Sequence, residues 1–282
     1  MLTQFIMKRI KQDEMTNNNE IIYSAKNVND ILFHKKTVNN LVIVGGSTYL
    51  DELPEKSLSI RNIPELSQIS KHERYIDFGP AVTLNQIFNM GINFLPSVLY
   101  ESIPTIANHV VRNIATIGGN ILSKDSHLTL IAPLIALGTS LKFKFQKNIE
   151  IIPLLKFTNI PENSVLVNIR VPTEDWNIAI FKRLGPANKL SNDSASFCFL
   201  ANTEKEVLIN LRLCFSGPFI FTSNELETKY LGTKLPLSNS IIEDFINLAE
   251  KQFDENAKDI EYNPILKKQF LNLIAYSLHE LA

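Results

Sequence analysis

Three features along the length of the chain are compatible with an α+β protein. The first part opens strand–helix–strand, with the run Leu41-Val42-Ile43-Val44 ending on Gly45-Gly46. A middle part mixes strand and helix patterns up to a break at Pro172-Thr173-Glu174-Asp175. Beyond the break, three consecutive strand candidates are followed by two helices, a segregated order rather than a steady β–α alternation.

The elements follow in order. Met1 to Ile6 is a short apolar stretch, and Lys8, Arg9 and Lys11 come after it, the reverse of a secretory signal. Residues 1–20 read as a mobile leader without function, with Met15 as a second candidate start. Val28, Ile31, Leu32 and Phe33 then carry an apolar face at helical spacing. Leu58 to Ile60 is a strand, as is Tyr75 to Phe78, closed by Gly79-Pro80. Thr83 is an N-cap for a helix running to Met90, and Ser97 to Val111 predicts one longer helix. Ile131 to Leu137 is apolar throughout, while Leu141 to Phe145 and Ser164 to Val171 alternate like strands. After the break, Ile178 to Arg183, Ser194 to Leu200 and Leu208 to Phe215 are strand candidates. Ser240 with Glu243 reads as a capping box for one terminal helix, and Asn263-Pro264 as a cap plus first-turn proline for the other. The break at Pro172 to Asp175 sets a domain boundary, with one domain at 21–175 and a second at 176–282.

Composition narrows the function. The 282 residues hold 28 basic and 29 acidic side chains, a net charge of −1, which leaves no footprint for nucleic acid. No run approaches the roughly 20 apolar residues of a membrane span. Two cysteines, Cys198 and Cys214, are too few for an iron–sulfur cluster or a four-cysteine zinc site, and they fit a reducing cytoplasm. The five histidines form no metal-spaced pair, so no metal site is expected. Asp125-Ser126-His127 has the residue types of a hydrolase triad, but neighbouring residues rarely converge on one point and no GxSxG elbow exists. A polar loop is the better reading, and no catalytic acid, base or nucleophile is assigned.

The informative residues are two Gly-Gly pairs, Gly45-Gly46 and Gly118-Gly119, each just after an apolar segment. Paired glycines let a backbone turn at positive φ and present successive N–H groups to phosphate oxygens. Ser47, Thr48 and Thr116 add hydroxyls. Neither pair is a GxGxxG fingerprint or a phosphate loop of the Walker type, and for each alone a plain tight turn is the favoured reading.

Read as longer strings, these segments resemble a known family. Val42-Ile43-Val44-Gly45-Gly46-Ser47-Thr48 resembles the AGGTD-type loop of the flavin subunits of xanthine dehydrogenase and carbon monoxide dehydrogenase. Arg112 to Ile121 is similar to their RNxATIGGNI signature nearly letter for letter. Ile60 to Leu66, Gly79 to Thr83, Phe181 to Arg183 and Asn192 to Ala195 continue the likeness over most of the chain.

The resemblance implies the FAD-binding subunit of a molybdenum hydroxylase, an α+β chain with a two-subdomain FAD domain of the p-cresol methylhydroxylase / vanillyl-alcohol oxidase type (subdomains of about 21–66 and 67–175) and a C-terminal antiparallel sheet with helices. It implies that the pyrophosphate of FAD is held by Leu41, Val42, Ile43, Val44, Gly45, Gly46, Ser47 and Thr48 and by Ala115, Thr116, Ile117, Gly118, Gly119 and Asn120. Two further family positions fall on Leu166 and Lys182, which are equally a strand core residue and a solvated edge lysine. Val44 stands where the family has alanine, and Thr129 where it has an aspartate for the adenosine ribose. The implied partners are a molybdopterin-binding large subunit and a 2Fe-2S small subunit. The implied work is to relay electrons from their clusters to NAD, a quinone or oxygen. A free-standing FAD oxidoreductase and an assembly subunit that has lost FAD remain alternatives.

Overall fold

The computed structural model describes residues 21–187 and 189–282, so the expected leader at 1–20 lies outside the described residues. A short strand β1 (Ile21–Tyr23) is followed by helix α1 (Val28–Thr37), strand β2 (Val42–Val44) and strand β3 (Lys56–Ser59). The three strands form a parallel sheet in the order β1-β3-β2. Asn27 caps α1 by accepting a hydrogen bond from the Asp30 N–H at 3.0 Å. Val28, Ile31 and Leu32 bury against Leu58, Ile60 and Ile63. Phe33, expected on the same face, is 62% exposed, because one residue beyond Leu32 turns the side chain about 100° away.

The middle part is built on an antiparallel sheet whose order is β4-β5-β8-β6-β7. Its strands are β4 (Ile69–Lys71), β5 (Tyr75–Phe78), β6 (Ser140–Lys144), β7 (Ile149–Pro153) and β8 (Val165–Pro172). Between β5 and β6 lie five short helices: α2 (Leu84–Phe88), α3 (Ser97–Ser102), α4 (His109–Arg112), α5 (Ile117–Leu122) and α6 (Ile131–Ala136). Thr83 caps α2 in a full capping box with Gln86. The single helix expected over Ser97 to Val111 is instead broken. Pro104 enters a one-turn 3₁₀ segment, and Ala107 takes a φ of +44° before α4 begins. The Arg112 guanidinium holds this bend by donating to the carbonyls of Ile106 (2.8 Å), Pro104 (3.2 Å) and Ala107 (3.4 Å).

A second antiparallel sheet, ordered β12-β11-β10-β9, follows. It comprises β9 (Ile178–Leu184), β10 (Ala195–Glu204), β11 (Val207–Ser216) and β12 (Ile220–Phe221), with helices α7 (Asn224–Lys229), α8 (Asn239–Ala257) and α9 (Pro264–His279) after it. Strand alternation divides β10 between two cores. Cys198 and Leu200 join the core of the middle part through α6, whereas Phe197 and Phe199 join the core under α8 and α9. Cys198 and Cys214 sit directly opposite each other on β10 and β11, free and fully buried. Burial pushes both thiols up, so they stay protonated and inert. The expected box at Ser240 and Glu243 is not the cap of α8. The helix starts at Asn239 behind Ser238, whose side chain bonds the Ser240 hydroxyl at 3.0 Å instead. Asn263 does cap α9, accepting from the Ile265 N–H at 3.0 Å with Pro264 in the first turn. Among the described residues no helix is long and apolar enough to cross a membrane.

Phe270 is fully buried and packs against Phe197, Phe215, Phe221 and Phe253 with ring centroids 5.0 to 6.3 Å apart. Phe270→Ala should lower the unfolding free energy by about 3–5 kcal/mol in chemical denaturation, the usual range for truncating a buried ring.

Candidate functional site

The two glycine motifs meet. The chain leaves β2 at Val44, and Gly46 passes so close to the second motif that a Cβ there would overlap the Ile114 carbonyl oxygen. A Cβ on Gly45 would stand 2.7 Å from the Thr116 hydroxyl oxygen. Behind this contact, residues 115–117 pair with residues 82–84. Leu84 N–H donates to Ala115 O (2.9 Å), and Ile117 N–H donates to Val82 O (3.0 Å). Gly118 is packed onto Pro80, whose Cβ and carbonyl oxygen a Gly118 side chain would meet at 2.6 Å. Close approach is therefore why glycine is needed at these positions. The expected positive φ is not found at either pair; the left-handed glycines are Gly91, Gly138, Gly185 and Gly232.

The supply of N–H donors also differs from expectation. The first-turn groups of α5 are already used: Ile117 by Val82 O, Gly118 by Pro80 O and Gly119 by the Thr116 hydroxyl at 3.1 Å. Asn120 N–H closes onto Thr116 O at 3.0 Å. The second glycine pair thus offers no run of open donors. The first loop does. The N–H groups of residues 45–50 find no hydrogen-bond partner among the described residues, and Ser47 at φ +53° bends the run.

These donors border a cleft of about 330 Å³. Val42, Ile43, Val44, Gly45, Gly46, Ser47, Thr48, Ala115, Thr116, Gly119 and Asn120 line it. Five other expected contact residues do not. Leu41 packs on the core of the parallel sheet, and Ile117 and Gly118 are buried behind the cleft wall. Leu166 is a core residue of β8 opposite Phe143, and Lys182 is exposed on β9. Thr129 stands on the wall, 5% exposed. The cleft also recruits residues not singled out from the sequence: Tyr49 and Leu50 continue the first loop, Thr105 to Ala107 come from the bend held by Arg112, and Arg183, Lys189 and Leu190 come from the far sheet. The spacing of β9 already held the clue to Arg183, since Phe181 and Arg183 share a face.

Asp125-Ser126-His127 is a tether rather than a triad. The Asp125 carboxylate accepts from the Tyr49 hydroxyl at 2.7 Å and from the His127 N–H at 2.9 Å, and it lies 2.8 Å from the His127 ring nitrogen. Ser126 donates to the Gly217 carbonyl at 2.6 Å, and Ser216 donates back to the Ser126 carbonyl at 2.5 Å. The serine is thus engaged with β11 and its following turn, not with the histidine. Burial alone would raise the Asp125 carboxyl, but the hydrogen bonds from Tyr49 and His127 outweigh it and hold the group below its ordinary value. The same bond to Asp125, helped by desolvation, pushes the Tyr49 phenol up to about 12.

The architecture is thus one parallel and two antiparallel sheets with helices around a glycine-bounded cleft. The chain belongs to the family described as the FAD binding domain in molybdopterin dehydrogenase, whose model matches residues 14–174. Its cofactor is FAD, and the proteins of the family are oxidoreductases. Among curated proteins it is 26% identical to indole-3-acetaldehyde oxidase of Zea mays over 178 residues, covering 58% of this chain and 13% of that protein. It is 30% identical to probable aldehyde oxidase 3 of Oryza sativa subsp. japonica over 145 residues, covering 47% of this chain and 10% of that protein. The chain therefore spans only a small part of the length of these relatives. Its fold matches the cyanide-inactivated Cu,Mo-CO dehydrogenase with a TM-score of 0.77 at 15% identity, over 92% of this chain and 96% of that one. It also matches quinoline 2-oxidoreductase from Pseudomonas putida 86 with a TM-score of 0.74 at 14% identity, over 92% and 94%.

The Tyr49–Asp125 bond has a defined pH window. A depressed carboxyl contributes stability above its unfolded value and loses it as pH falls through the native value; a raised phenol contributes below its ordinary value and loses it as pH rises through about 12. Tyr49→Phe should therefore destabilise the chain by about 1 kcal/mol at neutral pH. In denaturation series, that gap should close at both the acid and the alkaline end.

Proposed function

We propose that this chain is the FAD-binding electron-transfer subunit of a molybdopterin-dependent dehydrogenase. It would work beside a molybdopterin-binding large subunit and a 2Fe-2S small subunit in the cytoplasm. The observation that carries the reading is the run of open N–H groups at 45–50 bordering a cleft whose lining contains two cations, Arg183 and Lys189, and no carboxylate. Such a surface suits the pyrophosphate of a dinucleotide.

The residues present fit FAD. The amides of 45–50 would hold the phosphates, joined by the side chains of Thr116 and Asn120 on the facing wall. Leu84, Val111 and Leu128 keep the remainder of the cleft apolar and would exclude water from a bound cofactor. Segments 21–66 and 67–175 act as the two subdomains of a p-cresol methylhydroxylase / vanillyl-alcohol oxidase type domain, and segment 176–282 covers the cleft from the far side. When bound, the flavin supplies stepwise acceptance and donation of electrons, passing them from a partner's clusters to NAD, a quinone or oxygen. The chain's own side chains bind, orient and shield; the cleft lining includes no histidine, aspartate or glutamate to act as acid or base.

Gly119 lines the cleft, and a methyl there meets only the Thr116 hydroxyl oxygen at 3.1 Å, so Gly119→Ala should fold. It should weaken FAD about tenfold in a fluorescence-quenching titration, an overpacking loss of ~1–2 kcal/mol. A wild-type chain that neither carries a visible flavin spectrum nor takes up added FAD would overturn the reading and favour an assembly subunit without cofactor.

A further inference from the structure

Strand β9 separates the two sheets' cores by simple alternation. Ile178, Ile180 and Leu184 pack with the core under α8 and α9, while Ala179 and Phe181 pack with the core of the middle part. Lys182 therefore falls on the face turned toward α8 and α9, opposite Phe197, and is exposed. Arg183 falls on the face turned toward the middle part and lines the cleft. Two carbonyls fix its guanidinium: Nη1 donates to the Pro186 carbonyl at 2.5 Å and Nη2 to the Lys189 carbonyl at 3.1 Å. No carboxylate pairs with it among the described residues.

Resting on the flavin reading, we propose that Arg183, and not the neighbouring Lys182, is the positioning cation of this cleft and binds an anionic group of the cofactor. A half-buried guanidinium held only by neutral carbonyls lacks a counter-charge, and burial pushes its pKa down without neutralising it. Its planar fork retains donors beyond the two carbonyl bonds, which suits an oxyanion. That oxyanion has two sources in FAD. One is the pyrophosphate. The other is the negative charge on the flavin ring once reduced. Lys189, the second charged residue of the lining, is exposed and contributes its carbonyl to hold Arg183 rather than a fixed charge of its own.

The test titrates the full chain by calorimetry with inorganic pyrophosphate and with FAD, and measures the midpoint potential of the bound flavin. The variants are Arg183→Gln, which keeps a donor for the two carbonyls, Arg183→Lys, which keeps the charge, and Lys182→Met. If the phosphates are the target, Arg183→Gln weakens both pyrophosphate and FAD about tenfold or more, Arg183→Lys recovers part of the loss, and Lys182→Met stays within about twofold. If the reduced ring is the target, Arg183→Gln leaves pyrophosphate binding alone and lowers the flavin potential, again with partial recovery by Arg183→Lys. Either pattern supports the assignment and names the source. Unchanged affinity and potential in Arg183→Gln overturn it, as does finding these losses in Lys182→Met instead. A wild-type chain that takes up no FAD overturns the flavin reading, and the pyrophosphate titration then decides Arg183 by itself.

Discussion

The cleft depends on one contact between two stretches of backbone far apart in sequence. Gly46 lies against the carbonyl of Ile114 with no room for a side chain between them, and Gly45 lies against Thr116. That contact sets the 45–50 loop beside the start of α5, and so decides which N–H groups are left over. The second motif spends its donors on its own scaffold, pairing with residues 80–83 and capping itself through Thr116. The first loop has no such partner strand beyond β2, and its donors remain open. One motif builds the wall, and the other offers the hydrogen bonds.

The same division explains the rest of the second motif. Arg112 holds the bend at 104–107 that delivers Ala107 to the cleft. Asn113 contacts the His109 ring, Ile114 presents its carbonyl to Gly46, and Gly118 seats on Pro80. Only Ala115, Thr116, Gly119 and Asn120 reach the cleft. The open loop, in turn, is restrained at its tip by the Tyr49 bond to Asp125. Asp125 belongs to a turn that Ser126, Ser216 and Gly217 tie to the C-terminal sheet. A chain of hydrogen bonds thus links the 45–50 loop, the middle part and the far sheet around the cleft.

Elements with strong local signals were legible from residues alone. The Thr83 and Asn263-Pro264 caps act locally, and their helices start where those residues direct. The three strands after the Pro172 break follow from alternation, which needs no knowledge of neighbours. The misreadings share a cause, since each was decided by a contact that residue spacing does not show. Ser97 to Val111 has helical spacing, yet the Arg112 guanidinium collects the carbonyls of a bend inside it. Ser240 and Glu243 have capping-box spacing, but the helix begins two residues earlier, at Asn239 behind Ser238. The glycine pairs suggested left-handed turns because sequence records the missing Cβ and not what occupies its place. Lys182 and Arg183 are adjacent cations that alternation puts on opposite faces, and the packing of β9 between two cores tells which face lines the cleft.

The central claim, that the 45–50 amides and not those of α5 receive the phosphates, is open to a direct measurement. Amide nuclear magnetic resonance shifts of the isotope-labelled full chain, followed during FAD addition, report new hydrogen bonds group by group. The account predicts large downfield proton shifts within 45–50, with the amides of Ile117, Gly118 and Gly119 nearly still because their bonds are already made. Shifts concentrated at Ile117 to Gly119, with 45–50 unmoved, would contradict it.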